Sequence, residues 1–241
     1  MSLLAVEALD VRHGLLQAVR GISFTVAEGE ILALVGANGA GKTTLLRAIA
    51  GAHKPTAGRV VFDGRDLRGE RANRRVRAGI TLVPEGRKLF GEMTVRENLQ
   101  VAGAHARRGR WTMDTVLDAF PMLRPHLEQR SGSLSGGEQQ ATAIGRALMT
   151  NPRLLLIDEL SLGLSPIAVD RVYESLRTVI ASGTTIVLVE QDLSRTLRVA
   201  TRIICLLEGR IVLEGAAAAM TREQVTQAYF GLRHAGSASA P

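Results

Sequence analysis

The chain has 241 residues, 46% of them hydrophobic and 22% charged, a net charge of +7 and one cysteine. That length suits one large domain, or one domain with an insertion, burying roughly 70% of its unfolded surface, and a lone cysteine excludes any internal disulfide. No apolar run approaches the roughly 18 residues of a membrane span, so the chain is not expected to cross a bilayer.

The opening MSLLAVEALD lacks the basic stretch and apolar core of a secretory signal, and the expected compartment is the cytoplasm. Short apolar runs predict strands at 22–26 and 31–35, followed by a glycine loop and a helix over 41–50. Strands follow at 59–62 and 80–83, the second stopped by Pro84. From about 86 to 149 the pattern turns helical, in pieces at 94–103, 112–119 and 136–149. Strands return at 154–157, 185–189 and 203–207, separated by helices at 167–180 and 193–199. This alternation predicts an α/β fold, a mostly parallel sheet covered by helices. The helical stretch 86–149 reads as an insertion between core segments 1–85 and 150–230, with Pro84 and Pro152 near its edges. "EGR" at 208–210 reads as a hairpin, 231–241 as a frayed tail, and Cys205 as a small buried hydrophobe on a strand.

Arginines gather at 65, 68, 71, 74, 75 and 77, and again at 107, 108 and 110, with few aromatics among them for base stacking. A solvated helix face is the favoured reading, then attraction to anionic lipid or an acidic partner; nucleic acid comes last.

Three motifs carry chemistry. "GANGAGKTT" (36–44) fits a phosphate loop: Gly36, Gly39 and Gly41 allow the tight backbone, with Ala37, Asn38 and Ala40 between them, whose N–H groups cradle phosphate oxygens. Lys42 is placed to reach the β- and γ-phosphates, the Thr43 hydroxyl to ligate Mg²⁺, and Thr44 closes the motif. "LLLIDE" delivers Asp158 to the carboxyl end of a buried strand as a Mg²⁺ holder, and Glu159 as acceptor of a proton from a water attacking the γ-phosphate. "LSGGEQQ" opens a helix with Ser135 as N-cap and Glu138 in the capping-box position. A cap does not account for Gly136 and Gly137, since each glycine weakens a helix by about 1 kcal/mol.

The order phosphate loop, LSGGE signature, LLLIDE resembles the ATPase subunit of ATP-binding cassette (ABC) transporters, over nearly the whole chain. The resemblance implies a P-loop NTPase core, mostly parallel with a small antiparallel β portion, and an inserted α-helical subdomain. It also implies two ATPase domains facing head to tail, so that Ser135 and the Gly137 N–H contact the γ-phosphate held by the opposite subunit's Lys42, with Gly136 and Glu138 in the same stretch. "VPEGRKLFGEMTVRENL", "DELSLGLSP" and "LVEQD" look like the importers of branched-chain amino acids, whose relatives for urea or short amides share much of this pattern. Glu85 stands where the wider family senses Mg²⁺ with glutamine, and Gln191 where it has a switch histidine, which leaves Glu159 as the base. His13 stands at the adenine-stacking position, Ser165 replaces an acidic residue and Leu160 a proline. The implied cofactors are ATP and Mg²⁺. The implied partners are a second ATPase subunit, like or unlike, transmembrane permease subunits and, indirectly, an extracytoplasmic solute-binding protein; the implied place is the inner face of the cell membrane. A soluble ABC-type ATPase acting on nucleic acid or ribosomes is the alternative of a different class, disfavoured by a single cassette without sustained heptads. An ordinary phosphate-loop kinase would leave the signature without a task.

Overall fold

The computed structural model describes residues 2–103 and 107–230; the expected tail, 231–241, lies outside the described residues. In chain order the elements are β1 (Ser2–His13), β2 (Leu16–Ala27), β3 (Ile31–Val35), α1 (Lys42–Ile49), β4 (Ala57–Phe62), β5 (Arg65–Asp66), α2 (Ala72–Ala78), β6 (Ile80–Val83), α3 (Val95–Gly103), α4 (Met113–Ala119), α5 (Gly136–Leu148), β7 (Leu154–Asp158), α6 (Pro166–Ala181), β8 (Thr185–Val189), α7 (Leu193–Val199), β9 (Arg202–Leu207), β10 (Arg210–Ala216) and α8 (Arg222–Tyr229).

They form a four-stranded sheet of order β2-β1-β4-β5 and a six-stranded sheet of order β10-β9-β3-β8-β7-β6. The first is antiparallel throughout. In the second, β9, β3, β8, β7 and β6 run parallel and β10 is an antiparallel edge. Strands β3, β7 and β8 are buried at every position, as expected of parallel strands covered on both faces. Their alternate side chains feed different cores. Leu32, Leu34, Leu154, Leu156 and Val187 pack with α1 and the antiparallel sheet, whereas Leu155, Ile157, Ile186 and Leu188 pack against α5, α6 and the helices between β6 and β7.

Because the five strands are parallel, their carboxyl ends lie on one edge of the sheet, where open α/β sheets bind ligands. The loop after β3 carries 36–41, the turn after β6 carries Glu85, β7 ends in Asp158, and Gln191 follows β8. One topological fact thus gathers residues separated by up to about 150 positions. The elements expected at 31–35, 80–83, 185–189 and 193–199 are present with those bounds, and the strand expected at 22–26 extends over the whole of β2. β1, β5 and α8 were not expected, and α2 was anticipated only as a helix face carrying part of the first arginine cluster. One charge reading is corrected: Arg75 does not sit on a solvated face. It is 3% exposed, and its guanidinium donates to the carbonyls of Ala48, Ile49, Leu67 and Glu70.

Candidate functional site

The loop between β3 and α1 is shaped by glycine where nothing else fits. Gly36, Gly39 and Gly41 have φ of 142°, 83° and 98°, the region that side-chain-bearing residues avoid. A Cβ on Gly36 would lie 2.2 Å from the Leu206 carbonyl oxygen, and one on Gly41 2.2 Å from that of Ala18. The loop is also braced from outside. The β9–β10 hairpin turns through Glu208 and Gly209, φ 47° and 77°, as a two-residue primed turn requires. Gly209 donates its N–H to the Ala40 carbonyl at 3.1 Å and accepts from the Arg20 N–H at 2.8 Å. Gly41 caps α1 with no side-chain bond, so the first amides of that helix present their positive end to an anion.

Lys42 is 5% exposed, and its Nζ donates to the carbonyls of Gly36 at 2.6 Å and Ala37 at 2.9 Å. Burial lowers its pKa from the ordinary value, opposed by the nearby charges of Glu159 and Asp158. The Thr43 hydroxyl donates to Asp158 Oδ1 at 2.9 Å. Asp158 is 1% exposed and its Oδ2 has no hydrogen-bond partner. Burial pushes its carboxyl above the usual range against the Thr43 bond, and the Glu85 and Glu159 charges push the same way. An orphaned buried carboxylate oxygen beside a hydroxyl is a hard-oxygen donor set, which fits Mg²⁺.

Glu159 takes φ 52°, rare for a residue with a side chain. Its N–H donates to the Val189 carbonyl at 3.1 Å, and its Oε1 accepts from Gln191 Nε2 at 2.8 Å. Lys42, Thr43, Glu85, Glu159 and Gln191 line one cavity of about 430 Å³, with Asn38 and His13 at its rim. His13 Nε2 is 3.1 Å from the Thr44 hydroxyl, and its ring lies 4.5 Å from that of His53. Burial raises the Cys205 thiol pKa to about 11, in keeping with an inert hydrophobe on β9.

The signature lies elsewhere. Ser135 and Glu138 form the expected reciprocal cap on α5, the Ser135 N–H donating to Glu138 Oε2 at 2.8 Å. With Gly136 and Gly137 they line a second cavity, of about 400 Å³, opposite Leu164 and Ala168. Both glycines have an in-chain reason to be glycine. A Cβ at 136 would lie 3.0 Å from Leu164 Cδ2, and one at 137 3.0 Å from Ala168 Cβ, so α5 starts flush against the loop and helix that follow β7.

Sequence reasoning missed several residues here. Leu16, 66% exposed, and Leu162, 49% exposed, are apolar parts of the first cavity wall. Glu190, 1% exposed, accepts on Oε2 from the Ser161 hydroxyl at 2.8 Å and from the Gln191 N–H at 2.9 Å, tying the loop after β7 to the residue that holds Glu159. Its place beside Gln191 in LVEQD was the one signal in the sequence.

Comparison with known proteins bears on the whole arrangement. The family model described as ABC transporter matches residues 19–161. The high-affinity branched-chain amino acid transport ATP-binding protein BraG of Pseudomonas aeruginosa is 42% identical over 232 residues, 95% of this chain and 100% of that protein. A Nod factor export ATP-binding protein I from Rhizobium sp. strain N33 is 36% identical, over 93% of this chain and 75% of that one. Among solved structures, a nucleotide-free ATP-binding cassette from an ABC transporter superposes with a TM-score of 0.81 at 27% identity, covering 95% of this chain and 99% of that one. An ABC transporter cassette in its ADP conformation gives 0.81 at 26%, covering 96% and 99%. The family match, 42% identity across one such subunit and the same fold in two solved cassettes agree with a phosphate loop and a separate signature on one chain: the chain belongs to the ABC transporter family, as an ATP-hydrolysing cassette.

Proposed function

We propose that this chain is the ATPase of an importer for branched-chain amino acids, working at the inner membrane face with separate permease chains, a second and unlike ATPase subunit, and indirectly an external solute-binding protein. The observation that carries the reading is that the phosphate loop and the signature line two different cavities of one chain. Each chain therefore offers two half-sites, and a partner placed head to tail would complete both. ATP held at Lys42 is then capped by the partner's signature, and closure of the pair is the power stroke.

Within the first half-site the loop amides and Lys42 bind the phosphates. Thr43 and Asp158, with Glu85 beside them, would hold Mg²⁺, which supplies charge neutralisation on the transferred phosphoryl group. Glu159 takes the proton of the attacking water as the bond from the γ-phosphorus to the bridging oxygen breaks and ADP leaves. Gln191 cannot titrate; its amide fixes the direction of the Glu159 carboxylate. His13, with Leu16, offers a modest surface to adenine. The identity to BraG supports the substrate class, and no role with nucleic acid is proposed.

The test is uptake of radiolabelled leucine by vesicles carrying the complex purified with this chain from its host. Glu159→Gln should still associate with its partner on ATP while turnover and uptake fall by about 10² or more. Unchanged turnover would remove Glu159 from its role; uptake of urea instead of leucine, or outward transport, would replace the substrate reading and leave the ATPase reading standing.

A further inference from the structure

The turn after β6 holds three successive residues in left-handed backbone: Gly86 at φ 72°, Arg87 at 63° and Lys88 at 47°. Arginine and lysine avoid that region, and such conformations persist where the surroundings over-determine them. Here the surroundings are α5. Arg146 Nη2 donates to the carbonyls of Arg87 at 3.1 Å and Lys88 at 2.8 Å. The Arg87 side chain reaches back to the start of the same helix, Nη1 donating to Gln139 Oε1 at 3.0 Å, while Gln139 Nε2 donates to the Leu134 carbonyl at 3.2 Å. Its Nη2 donates to the Leu162 carbonyl at 3.3 Å, three residues beyond Glu159.

We propose that Arg87 is a positioning residue that joins three segments of this chain, the Glu85 turn, the signature at the head of α5 and the loop that carries Glu159, so that they move as one unit. The proposal rests on the ATPase reading above. Gly136 and Gly163 lie beside the guanidinium: a Cβ at 136 would be 3.4 Å from Arg87 Nη2 and one at 163 3.9 Å from it, both ordinary contact distances. Among the described residues no carboxylate pairs with Arg87, so its bonds go to neutral oxygens, a planar fork meeting two acceptors at once. A rearrangement of the Glu85 turn would pull on Gln139 and Leu162 together, and a signature displaced by a partner's nucleotide would act back on Glu159 by the same route.

The test compares wild type with Arg87→Ala, Arg87→Lys, Gln139→Ala and the Arg87→Ala/Gln139→Ala pair in the purified complex. Losing charge-assisted bonds should lower kcat about tenfold or more in Arg87→Ala, with KM for ATP within about twofold because Lys42 and its loop are untouched. The lysine variant should stay near the alanine value, since an ammonium does not reproduce the fork. Gln139→Ala should lose part of the same effect, and the pair should be no worse than Arg87→Ala alone. Independently of hydrolysis, amide exchange of the nucleotide-free chain should quicken at 134–139 and 160–164 in Arg87→Ala, and not at 36–41. An unchanged kcat, a pair whose losses multiply, or wild-type exchange at 134–139 would overturn the link. A wild-type complex that hydrolyses no ATP would instead overturn the ATPase reading, and the exchange data would still judge Arg87. Should Arg87→Ala fail to fold, Gln139→Ala cuts the same bond from the helix side.

Discussion

Asp158 is placed at a cost to the nucleotide-free chain. Burial and the charges of Glu85 and Glu159 raise its carboxyl pKa despite the Thr43 bond. The folded state therefore favours the protonated form. The corresponding stability is present below the ordinary value of about 3.9 and is lost as pH rises through the elevated one. Asp158→Asn keeps an oxygen to accept from Thr43 and escapes that loss. It should raise the melting temperature at pH 7, with the gain shrinking toward pH 4. Calorimetry across pH checks the sign. Adding Mg²⁺ and ATP should reverse the ranking, because a ligand bound only by the folded state stabilises it. The same site shows what could be read from sequence at this scale: Lys42, Thr43, Asp158 and Glu159 were assigned a chemistry by type and spacing, while Glu85, Gln191 and His13 were assigned theirs through the resemblance alone. Leu16, Glu190 and Arg87 were assigned none, because their roles lie in contacts with segments distant in the chain, such as Arg87 to Leu162.

At the scale of elements, α1 is fixed at both ends by different means: Gly41 opens it with its amides uncapped by any side chain, and Arg75 of α2 closes it by donating to the Ala48 and Ile49 carbonyls. A helix end buried without donors is unstable. Arg75→Met keeps the bulk but leaves the Ile49 carbonyl without its donor, while the Ala48 and Leu67 carbonyls keep the backbone N–H groups of Gly51 and Glu70. It should cost about 1–3 kcal/mol for the one orphaned group, read from urea unfolding. Legibility of the elements follows burial pattern. β3 could be delimited residue for residue because its run is apolar throughout and buried at every position, and in β6 and β8 the apolar run is joined only by Thr81 and Thr185, both buried. β1 hid because its alternation breaks: Ala8 has φ 44°, and the register with β2 shifts between Val6 and Leu9. α8 hid because Val225 is its one fully buried residue, which leaves no apolar stripe to recognise.

For the molecule as a whole, the parallel sheet decides what gathers and what stays apart. Strand ends bring the phosphate loop, Glu159 and Gln191 to one wall, with Asp158 buried behind it on Thr43, while α5 carries the signature to another. Among the described residues no helix is long and apolar enough to cross a membrane. The β9–β10 turn bears on how this protein can be handled. Surface hairpins are usual places to graft an epitope or a fluorophore tag, and two primed turns offer themselves, at Asp63–Gly64 and at Glu208–Gly209. A Cβ on Gly64 would meet nothing within 4 Å, whereas one on Gly209 would lie 2.6 Å from the Ala18 carbonyl oxygen. A peptide of about eight residues spliced in after Asp63 should therefore leave affinity for a fluorescent ATP analogue intact; after Glu208 it would wedge open the cradle and abolish that signal. Exposure carries the same warning, since Asp63 and Gly64 are both exposed whereas Gly209 is buried beside an exposed Glu208.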